Sequence, residues 1–260
     1  MENVNKTLYI PLYGKAYVSR RKLLLRDTRA ESIWEQEGFP LRGKAKSKWL
    51  AYYMGIRAAV FDRWTQEQMQ CASDALVLHL GCGLDSRAER VGASGGMWFD
   101  VDFPEVIRER KRYYRETGTY RMIASDIRDP KWLEALPEKD VAIVIMEGIS
   151  MYLTVEELRA VLGGLKARFP KLHLLMDCYT EFAAKASKYK NPINEVGVTL
   201  VHGIGDPCVL EPGTGITFVR EHALTPPDMV NQLSGLEKAV FQRFFAGRFS
   251  KKLYRLYEFQ

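Results

Sequence analysis

Short apolar runs alternate with stretches of helical periodicity along most of this chain. A short apolar run predicts a buried strand, and apolar positions three or four residues apart predict a helix packed on one side. The predicted strands cover residues 76–80, 97–102, 120–124, 141–146, 172–178, 216–221 and 252–259. The predicted helices lie at 104–117, 131–136, 154–169, 180–190 and within 226–247. This alternation is typical of an α/β fold with a doubly wound sheet.

The segment before the first strand is predicted to be helical. From 44 to 70, apolar residues recur every three or four positions, which predicts an amphipathic helix. Its apolar face consists of Trp49, Tyr53, Ile56, Val60 and Trp64. We expect this helix to pack as a cap over the strand ends. A shorter helix is predicted from 28 to 39, with Thr28 as its N-cap.

The first strand runs directly into two glycines, Gly81 and Gly83. Gly81 can adopt backbone angles that a side chain would forbid, and Gly83 lets a ligand approach the main chain. A strand, a glycine turn and a helix form the nucleotide-binding unit of doubly wound sheets. The third glycine of the dinucleotide fingerprint is missing, because Ser86 stands where glycine or alanine is expected.

The second strand ends in a carboxylate, Asp102, roughly 20 residues after the glycine turn, as the ribose-binding acid of this fold requires. Such a carboxylate can accept both hydroxyls of an adenosine ribose. An acid at this position is also typical of a helix cap, since Pro104 follows in a plausible helix start. Both interpretations stay open on the spacing alone.

Four segments of the chain share their pattern with a known group of enzymes. They are Leu80-Gly-Cys-Gly-Leu-Asp-Ser-Arg87, Phe99-Asp-Val-Asp-Phe-Pro-Glu-Val106, Ser125-Asp-Ile127 and Glu147-Gly-Ile-Ser-Met-Tyr-Leu153. In this order they resemble motifs of the leucine carboxyl methyltransferase-like superfamily, and within it the bacterial polyketide-type O-methyltransferases. The resemblance implies a Rossmann-like, seven-stranded sheet, mostly parallel with an antiparallel last strand. It also implies S-adenosylmethionine as the cofactor.

The resemblance further implies which residues hold the cofactor. The expected contacts in the glycine turn are Gly81, Cys82 and Gly83, and the expected contacts at the adenine are Asp126 and Ile127. Arg57 would face the carboxylate of the cofactor's methionine part, a task that suits a planar guanidinium. From the residues alone, Arg57 is equally a surface arginine with a packed stem, and Asp126 equally part of an Asx turn.

Glu147 directly follows the most apolar predicted strand, 141–146. Ligands bind at strand ends beside the topological switch of an open α/β sheet, so we expect Glu147 at the cofactor and acceptor site. Its carboxylate would complement the sulfonium or hold an adenosine hydroxyl, and an exposed loop acid is the alternative. Tyr152 and Tyr179 are predicted to line the acceptor side, where a tyrosine face attracts a sulfonium. Core packing explains Tyr152 nearly as well.

A segment rich in glycine and proline, 191–215, has no clear period and is expected to be a functional loop over the acceptor pocket. His202 lies in this loop and is the candidate catalytic base for a phenol or alcohol acceptor. A carboxylate acceptor, which is already ionised, needs no base. The alternative for His202 is a surface or structural role, and His79, inside a buried strand, is expected to be structural.

Composition narrows the remaining choices. The net charge of +6 leaves nucleic acid open, but we interpret the basic run 108–112 as a solvated helix face. Four cysteines without a Cys-x-x-Cys pair predict reduced, mostly buried thiols and no metal site. Neither a membrane span nor a signal peptide is recognised, so a cytoplasmic location is expected.

Together these observations predict one methyltransferase domain over 1–260. Residues 1–72 would form the helical cap, 73–178 the cofactor-binding core, and 179–260 the substrate loop and the C-terminal strands. The predicted reaction transfers a methyl group from S-adenosylmethionine to a carboxylate, phenol or hydroxyl oxygen of a small molecule, with no nucleic acid or membrane partner. The resemblance implies a polyketide-like acceptor. A dinucleotide oxidoreductase, an RNA- or protein-carboxyl-directed methyltransferase and a non-enzymatic cofactor-binding protein stay open as alternatives.

Overall fold

A seven-stranded sheet forms the centre of the molecule in the computed structural model, which describes residues 7–39, 41, 43–92, 96–187 and 201–260. The strands are β1 (Leu76–Leu80), β2 (Trp98–Asp102), β3 (Tyr120–Ala124), β4 (Val141–Met146), β5 (Lys171–Tyr179), β6 (Phe218–His222) and β7 (Tyr254–Phe259). Their order in the sheet is β3-β2-β1-β4-β5-β7-β6.

Strands β1 to β5 pair in parallel, and β7 lies antiparallel between β5 and β6. The predicted seven-stranded α/β sheet with an antiparallel last strand is therefore confirmed. The strand order reverses between β1 and β4, which makes the carboxyl ends of these two strands the topological switch point.

Ten α-helices lie in the described part of the chain. They are α1 (Tyr9–Arg20), α2 (Thr28–Glu37), α3 (Lys48–Cys71), α4 (Arg87–Val91), α5 (Pro104–Arg110), α6 (Val155–Arg168), α7 (Glu181–Ala186), α8 (Pro227–Val230), α9 (Gly235–Phe244) and α10 (Arg248–Leu253). Short 3-10 helices cover Gly43–Lys46, Pro130–Ala135, Ser150–Tyr152 and Pro207–Leu210.

Alternate residues of the central strands point to opposite faces of the sheet and enter two separate cores. On one face, Ile143 and Leu175 belong to the core that contains Trp64 of α3. On the other face, Val144 belongs to the core that contains Leu162 of α6. Because both faces are covered, the central strands are apolar throughout, and this is why they were recognisable as apolar runs.

The N-terminal segment holds more helix than the sequence predicted. Helix α1 was not predicted, and it packs against α3. Helix α2 begins one residue earlier than expected. Its N-cap is Asp27 rather than Thr28, and the Asp27 side chain accepts the Ala30 N–H at 2.8 Å. Helix α3 packs against β4 and β5 across a face of the sheet, which the sequence did not predict, while its residues Trp49, Tyr53 and Arg57 lie at the strand ends, where it was expected.

Helix α5 ends at Arg110 instead of continuing to residue 117. The interpretation of 108–112 as a solvated helix face was also partly wrong. Arg108 and Arg112 are exposed, but Arg110 is only 1% exposed. Charge density along the sequence does not distinguish these neighbours, because burial depends on which side of the helix meets the sheet.

In the C-terminal half of the chain, the predicted helix cap at Thr154 is confirmed, and several predicted element boundaries differ by one or two residues. The capping box of α6 is present, with Thr154 and Glu157 bonded reciprocally. The predicted short helix at 131–136 is a 3-10 helix one residue earlier. Strand β6 starts at Phe218, two residues later than predicted, and helix α10 takes the first residues of the predicted last strand.

The predicted acceptor loop, 191–215, lies partly outside the described residues, as does the end of the predicted helix 180–190. In the described portion, Ile204 and Leu210 are buried in the core on the α6 side of the sheet. This portion is therefore packed rather than a free loop.

The four cysteines form no disulfide among the described residues. Only Cys82 and Cys178 are buried, whereas Cys71 and Cys208 are exposed, so the prediction of mostly buried thiols holds for half of them. None of the helices in the described ranges has the length and apolar character needed to cross a membrane.

Candidate functional site

A cavity of about 840 Å³ opens at the carboxyl ends of the parallel strands. The residues that line it follow β1, β2, β3 and β4, and further ones come from α1, α3, α7 and α10. The predicted site residues among its lining are Arg57, Gly81, Cys82, Gly83, Asp102, Asp126, Ile127, Glu147, Tyr152 and Tyr179. The fold thus brings all but one of the predicted site residues to one place.

The glycine turn forms the floor of this cavity after β1. Gly81 and Gly83 both have positive φ angles, of 68° and 52°, which favour glycine. A Cβ on Gly81 would also lie 1.9 Å from Cγ2 of Ile149, so no side chain fits there. The Gly81 N–H donates to the Val101 carbonyl at 2.8 Å and ties the turn to β2. A substitution at Gly81 would therefore move the turn.

Asp102 ends β2 and faces the cavity with part of its hydrogen-bonding capacity free. Its Oδ2 accepts the Gly83 N–H and its Oδ1 accepts the Phe103 N–H, both at 2.8 Å. A carboxylate has about four lone-pair sites, so roughly two remain for a ligand. Burial raises the pKa of Asp102 to about 6, against the lowering effect of the two backbone N–H groups.

Asp126, just after β3, lines the cavity but is occupied by a neighbour. The Arg128 guanidinium binds both of its oxygens, with Nε at 3.0 and 2.9 Å, and the Arg128 N–H donates to Oδ1 at 3.0 Å. Its carboxylate therefore has little capacity left for another donor unless the exposed Arg128 side chain turns away. Ile127 offers an apolar surface beside it.

Arg57 of α3 is buried between two carboxylates. Its Nε donates to Glu147 Oε1 at 3.0 Å, and its Nη1 donates to Asp177 Oδ2 at 2.8 Å. Arg57 is 4% exposed, which excludes the interpretation as a surface arginine. Nε and Nη1 make the two ion pairs among the described residues, and Nη2 lies beside Gly148. Nη2 is the part of the guanidinium that remains for a ligand.

Glu147 is buried as well and joins Arg57 to a second arginine. Its Oε2 accepts a hydrogen bond from Arg87 Nη2. Burial alone would raise the pKa of Glu147, but the cations Arg87 and Arg57 lower it to about 2. Glu147 is therefore ionised and ion-paired, and the alternative of an exposed loop acid is wrong.

These pairs belong to one buried network of four cations and five carboxylates. Its members are Lys15, Arg57, Arg87, Arg90, Asp27, Asp62, Asp85, Glu147 and Asp177. One carboxylate is in excess, so the network favours a ligand with a net positive charge.

Sequence reasoning missed Lys15 as a site residue. It lies on α1, is 3% exposed, lines the cavity and pairs with Asp85 at 3.2 Å. The only signal in the sequence was a lysine with apolar neighbours, Ala16 and Val18, in a segment without a recognised helical pattern. Its partner lies 70 positions away along the chain, which no local pattern shows.

Four tyrosines form a wall at the β5 and β7 side of the cavity: Tyr53, Tyr152, Tyr179 and Tyr254. The rings of Tyr179 and Tyr254 meet edge to face, with centroids 4.5 Å apart. The Tyr53 hydroxyl bonds to the Ser250 hydroxyl at 3.0 Å. Burial raises the pKa of all four hydroxyls, so they stay protonated at neutral pH.

His202 is the predicted site residue that does not line the cavity. Its backbone N–H donates to the Met151 carbonyl at 2.7 Å, so the loop is anchored near the site although the side chain is not part of its wall. Its role as a base stays a prediction that this geometry does not support. His79 does line the cavity, but burial lowers its pKa, so it holds a proton poorly.

Among the residues that the structure describes, no group of three or more histidine, cysteine, aspartate or glutamate side chains could hold a metal ion. The polar groups of the cavity are instead arranged as ion pairs and backbone-bonded carboxylates, which suit an organic ligand with hydroxyl, ammonium and carboxylate groups.

A known family model matches this chain over more than half of its length. The family model described as leucine carboxyl methyltransferase matches residues 11–166. This range contains α2 to α5 and most of α1 and α6, with the glycine turn, Asp102, Asp126 and Glu147.

Two related proteins are similar to this chain in sequence. The tetracenomycin polyketide synthesis O-methyltransferase TcmP of Streptomyces glaucescens is 29% identical over 92% of this chain and 90% of its own length. The S-adenosyl-L-methionine-dependent methyltransferase dpfgK of Gibberella zeae is 30% identical, over 48% of this chain and 45% of its own.

Solved structures share the fold. A putative methyltransferase from Thermobifida fusca is 14% identical, with a TM-score of 0.55 over 95% of this chain and 93% of its own. Magnesium protoporphyrin IX methyltransferase from Synechocystis PCC 6803, solved with bound S-adenosylhomocysteine, is 13% identical, with a TM-score of 0.51 over 89% and 92%. At these identities the similarity concerns the fold alone.

Proposed function

This chain belongs to the leucine carboxyl methyltransferase family, and from that premise we propose that it methylates an already ionised oxygen of a small acceptor with an apolar, polyketide-like body. The family membership confirms the predicted enzyme class and the predicted cofactor: the protein is an S-adenosylmethionine-dependent methyltransferase. It also rules out the alternative of a dinucleotide oxidoreductase.

The adenosine part of the cofactor fits the β2 side of the cavity. Asp102 keeps about two free lone-pair sites, one for each ribose hydroxyl, while Gly83 leaves the main chain open to a ligand. Ile127 would pack against the adenine. Asp126 would reach the adenine amino group only after Arg128 turns away.

The methionine part fits the ion-pair network at β1 and β4. S-adenosylmethionine carries an ammonium, a sulfonium and a carboxylate, so its net charge of about +1 complements the excess carboxylate of the network. Lys15 and Nη2 of Arg57 would hold its carboxylate. When bound, the cofactor supplies the activated methyl group.

The tyrosine wall marks where the acceptor would bind. Tyr179 at the end of β5 is separated from Asp102 at the end of β2 by three strand spacings, about 14 Å. The cavity therefore has room for an acceptor beyond the cofactor, against Tyr152, Tyr179 and Tyr254. The name of the relative from Streptomyces glaucescens supports a polyketide-like acceptor.

The observation that carries the proposal of an ionised acceptor is the lack of a suitable base among the described residues of this wall. The tyrosines stay protonated, and Glu147 is committed to two arginines. An aliphatic alcohol would require a base to remove its proton, whereas a carboxylate or an acidic phenol would not. Protonated tyrosine hydroxyls can donate hydrogen bonds to such an oxygen and orient it for in-line attack.

Matched acceptors test this proposal. Aromatic carboxylic acids would be incubated with the protein and labelled S-adenosylmethionine in parallel with the corresponding primary alcohols, and products would be identified by mass. We expect methyl esters from the acids and no ethers from the alcohols. Equal turnover of alcohols, or methyl transfer to nitrogen or RNA instead, would refute the acceptor assignment.

The free cysteines are consistent with the cytoplasm as the proposed compartment.

A further inference from the structure

Arg110 lies in the basic run after Pro104 but makes all of its contacts inside the protein. Its Nη1 donates to the Gly83 carbonyl at 3.0 Å, its Nε donates to the Tyr120 hydroxyl at 3.1 Å, and its Nη2 binds Asp100. The guanidinium also stacks 4.0 Å from the ring centroid of Tyr114. One buried arginine thus connects α5, β2 and β3 with the glycine turn.

A second residue of the same region holds the next carbonyl of the turn. The Tyr114 hydroxyl donates to the Leu84 carbonyl at 3.0 Å, and its ring supports the Arg110 guanidinium. Arg110 and Tyr114 are therefore bonded to the two successive carbonyls of Gly83 and Leu84. Neither residue is among those that line the cavity.

The backbone orientation at Gly83 matters because the residue is held on both sides of its Cα: its carbonyl accepts from Arg110, and its N–H, which belongs to the preceding peptide group, faces Asp102. The Gly83 N–H donates to Asp102 Oδ2 at 2.8 Å. If the turn rotated, this N–H would leave the carboxylate, and the free lone pairs of Asp102 would no longer point in a fixed direction. Fixed orientation of a ligand-binding group depends on such supporting contacts.

We propose that Arg110 and Tyr114 are positioning residues for the cofactor: they fix the glycine turn through its carbonyls and so aim Asp102 at the ribose. This inference rests on the proposed placement of the adenosine at Asp102. It assigns a role to a buried part of the basic run that the reaction itself does not use.

The charge of Arg110 gives the proposal a readout beyond structure. Among the charged groups near Asp102, Arg110 lowers its pKa and Asp100 raises it. Removal of the guanidinium should raise the pKa of Asp102, so that a ligand that needs the carboxylate binds well only at higher pH. A change in packing alone would weaken binding at every pH without moving this midpoint.

The test is a titration of S-adenosylhomocysteine by calorimetry between pH 5 and 8.5, with wild type, Arg110→Met, Arg110→Lys and Tyr114→Phe. We expect Arg110→Met to bind about tenfold more weakly or worse at pH 7 and to move the midpoint of the pH dependence upward by about one pH unit. Arg110→Lys should keep the midpoint near that of wild type because it retains the charge. The matched control is Arg108→Met, an exposed arginine of the same helix, which should change neither.

Tyr114→Phe removes only the hydroxyl that binds the Leu84 carbonyl. It therefore tests whether the bonds to the carbonyls of the glycine turn support cofactor binding, even if Arg110→Met does not fold. We expect it to weaken S-adenosylhomocysteine binding about threefold to tenfold. Wild-type affinity and an unmoved midpoint in folded Arg110→Met, or wild-type affinity in Tyr114→Phe, would overturn the inference. Failure of the wild type to bind S-adenosylhomocysteine would instead refute the proposed cofactor site, so the two failures are distinguishable.

Discussion

The two halves of the cavity are built by different physical means. Around Asp102, on the β2 side, the site consists of a glycine turn and a carboxylate bonded to backbone N–H groups. Around Arg57 and Glu147, on the β4 side, it consists of buried side-chain ion pairs. The first half depends on the shape of the main chain, and the second depends on charges that distant segments bring together.

The difference has an energetic consequence. Asp102 accepts backbone hydrogen bonds and is still partly exposed to solvent. Its removal should therefore lower the affinity for the ligand more than it lowers the stability of the fold. Buried ion pairs behave otherwise, because removal of one partner leaves an uncompensated charge inside the protein. The half of the cavity around Arg57 and Glu147, where the methionine part of the cofactor is proposed to bind, is therefore expected to contribute to folding as well as to binding.

Arg57→Met should have the largest effect on stability. It leaves Glu147 and Asp177 buried without their common cation, which typically costs about 3–5 kcal/mol. The free energy of unfolding from urea titration measures this loss. The control is Arg63→Met on the same helix, whose pair with Asp228 is half exposed and should cost at most about 1 kcal/mol. Equal losses in the two variants would contradict the distinction between the halves.

Asp102→Ala should have the opposite profile. Loss of two charge-assisted hydrogen bonds to the ribose, each contributing about 1.5–3 kcal/mol, predicts at least a tenfold loss of S-adenosylhomocysteine affinity. The melting temperature of the ligand-free protein should change little. A large fall in melting temperature with unchanged affinity would support the role of a helix cap instead.

The pH dependence of cofactor binding should follow Asp102. Its folded-state pKa of about 6 means that more than half of the Asp102 carboxyl groups are protonated below pH 6, and the protonated form accepts fewer hydrogen bonds. Affinity for S-adenosylhomocysteine should therefore fall as the pH drops through about 6 and reach a plateau above about 7. In the ligand-free protein the sign is reversed. Because the pKa is raised on folding, the stabilisation from this group is present below about pH 4 and is lost as the pH rises through about 6. A flat binding profile between pH 5 and 8 would contradict this assignment.

His202→Ala should have the smallest effect. The side chain does not line the cavity, and an ionised acceptor needs no base, so the rate with a carboxylate acceptor should change less than about threefold. Initial rates at saturating cofactor measure this. A loss of roughly 10²-fold with unchanged cofactor affinity would restore His202 as the base.

The same contrast explains what the sequence could reveal. Strands buried on both faces, the glycine turn and Asp102 follow one another between Leu76 and Asp102, so a local pattern was enough to predict them. The cofactor-facing position of Glu147 was also accessible, because strand ends at the switch point hold ligands.

Long-range pairing could not be predicted in this way. Arg57 meets Glu147 across 90 positions and Asp177 across 120 positions of the chain. Lys15 lies on a helix whose apolar residues surround it on most sides, so no single amphipathic face was visible. Arg110 differs from its exposed neighbours only by the direction in which α5 presents it.

The most direct test of the two-part site compares S-adenosylhomocysteine with 5′-methylthioadenosine, which lacks the ammonium and the carboxylate. Calorimetric titration of both ligands into Arg57→Lys and Asp102→Asn isolates each half. We predict that Arg57→Lys weakens S-adenosylhomocysteine about tenfold or more but 5′-methylthioadenosine less than about threefold, whereas Asp102→Asn weakens both ligands by similar factors. Equal loss of both ligands in Arg57→Lys, or unchanged 5′-methylthioadenosine binding in Asp102→Asn, would contradict the account.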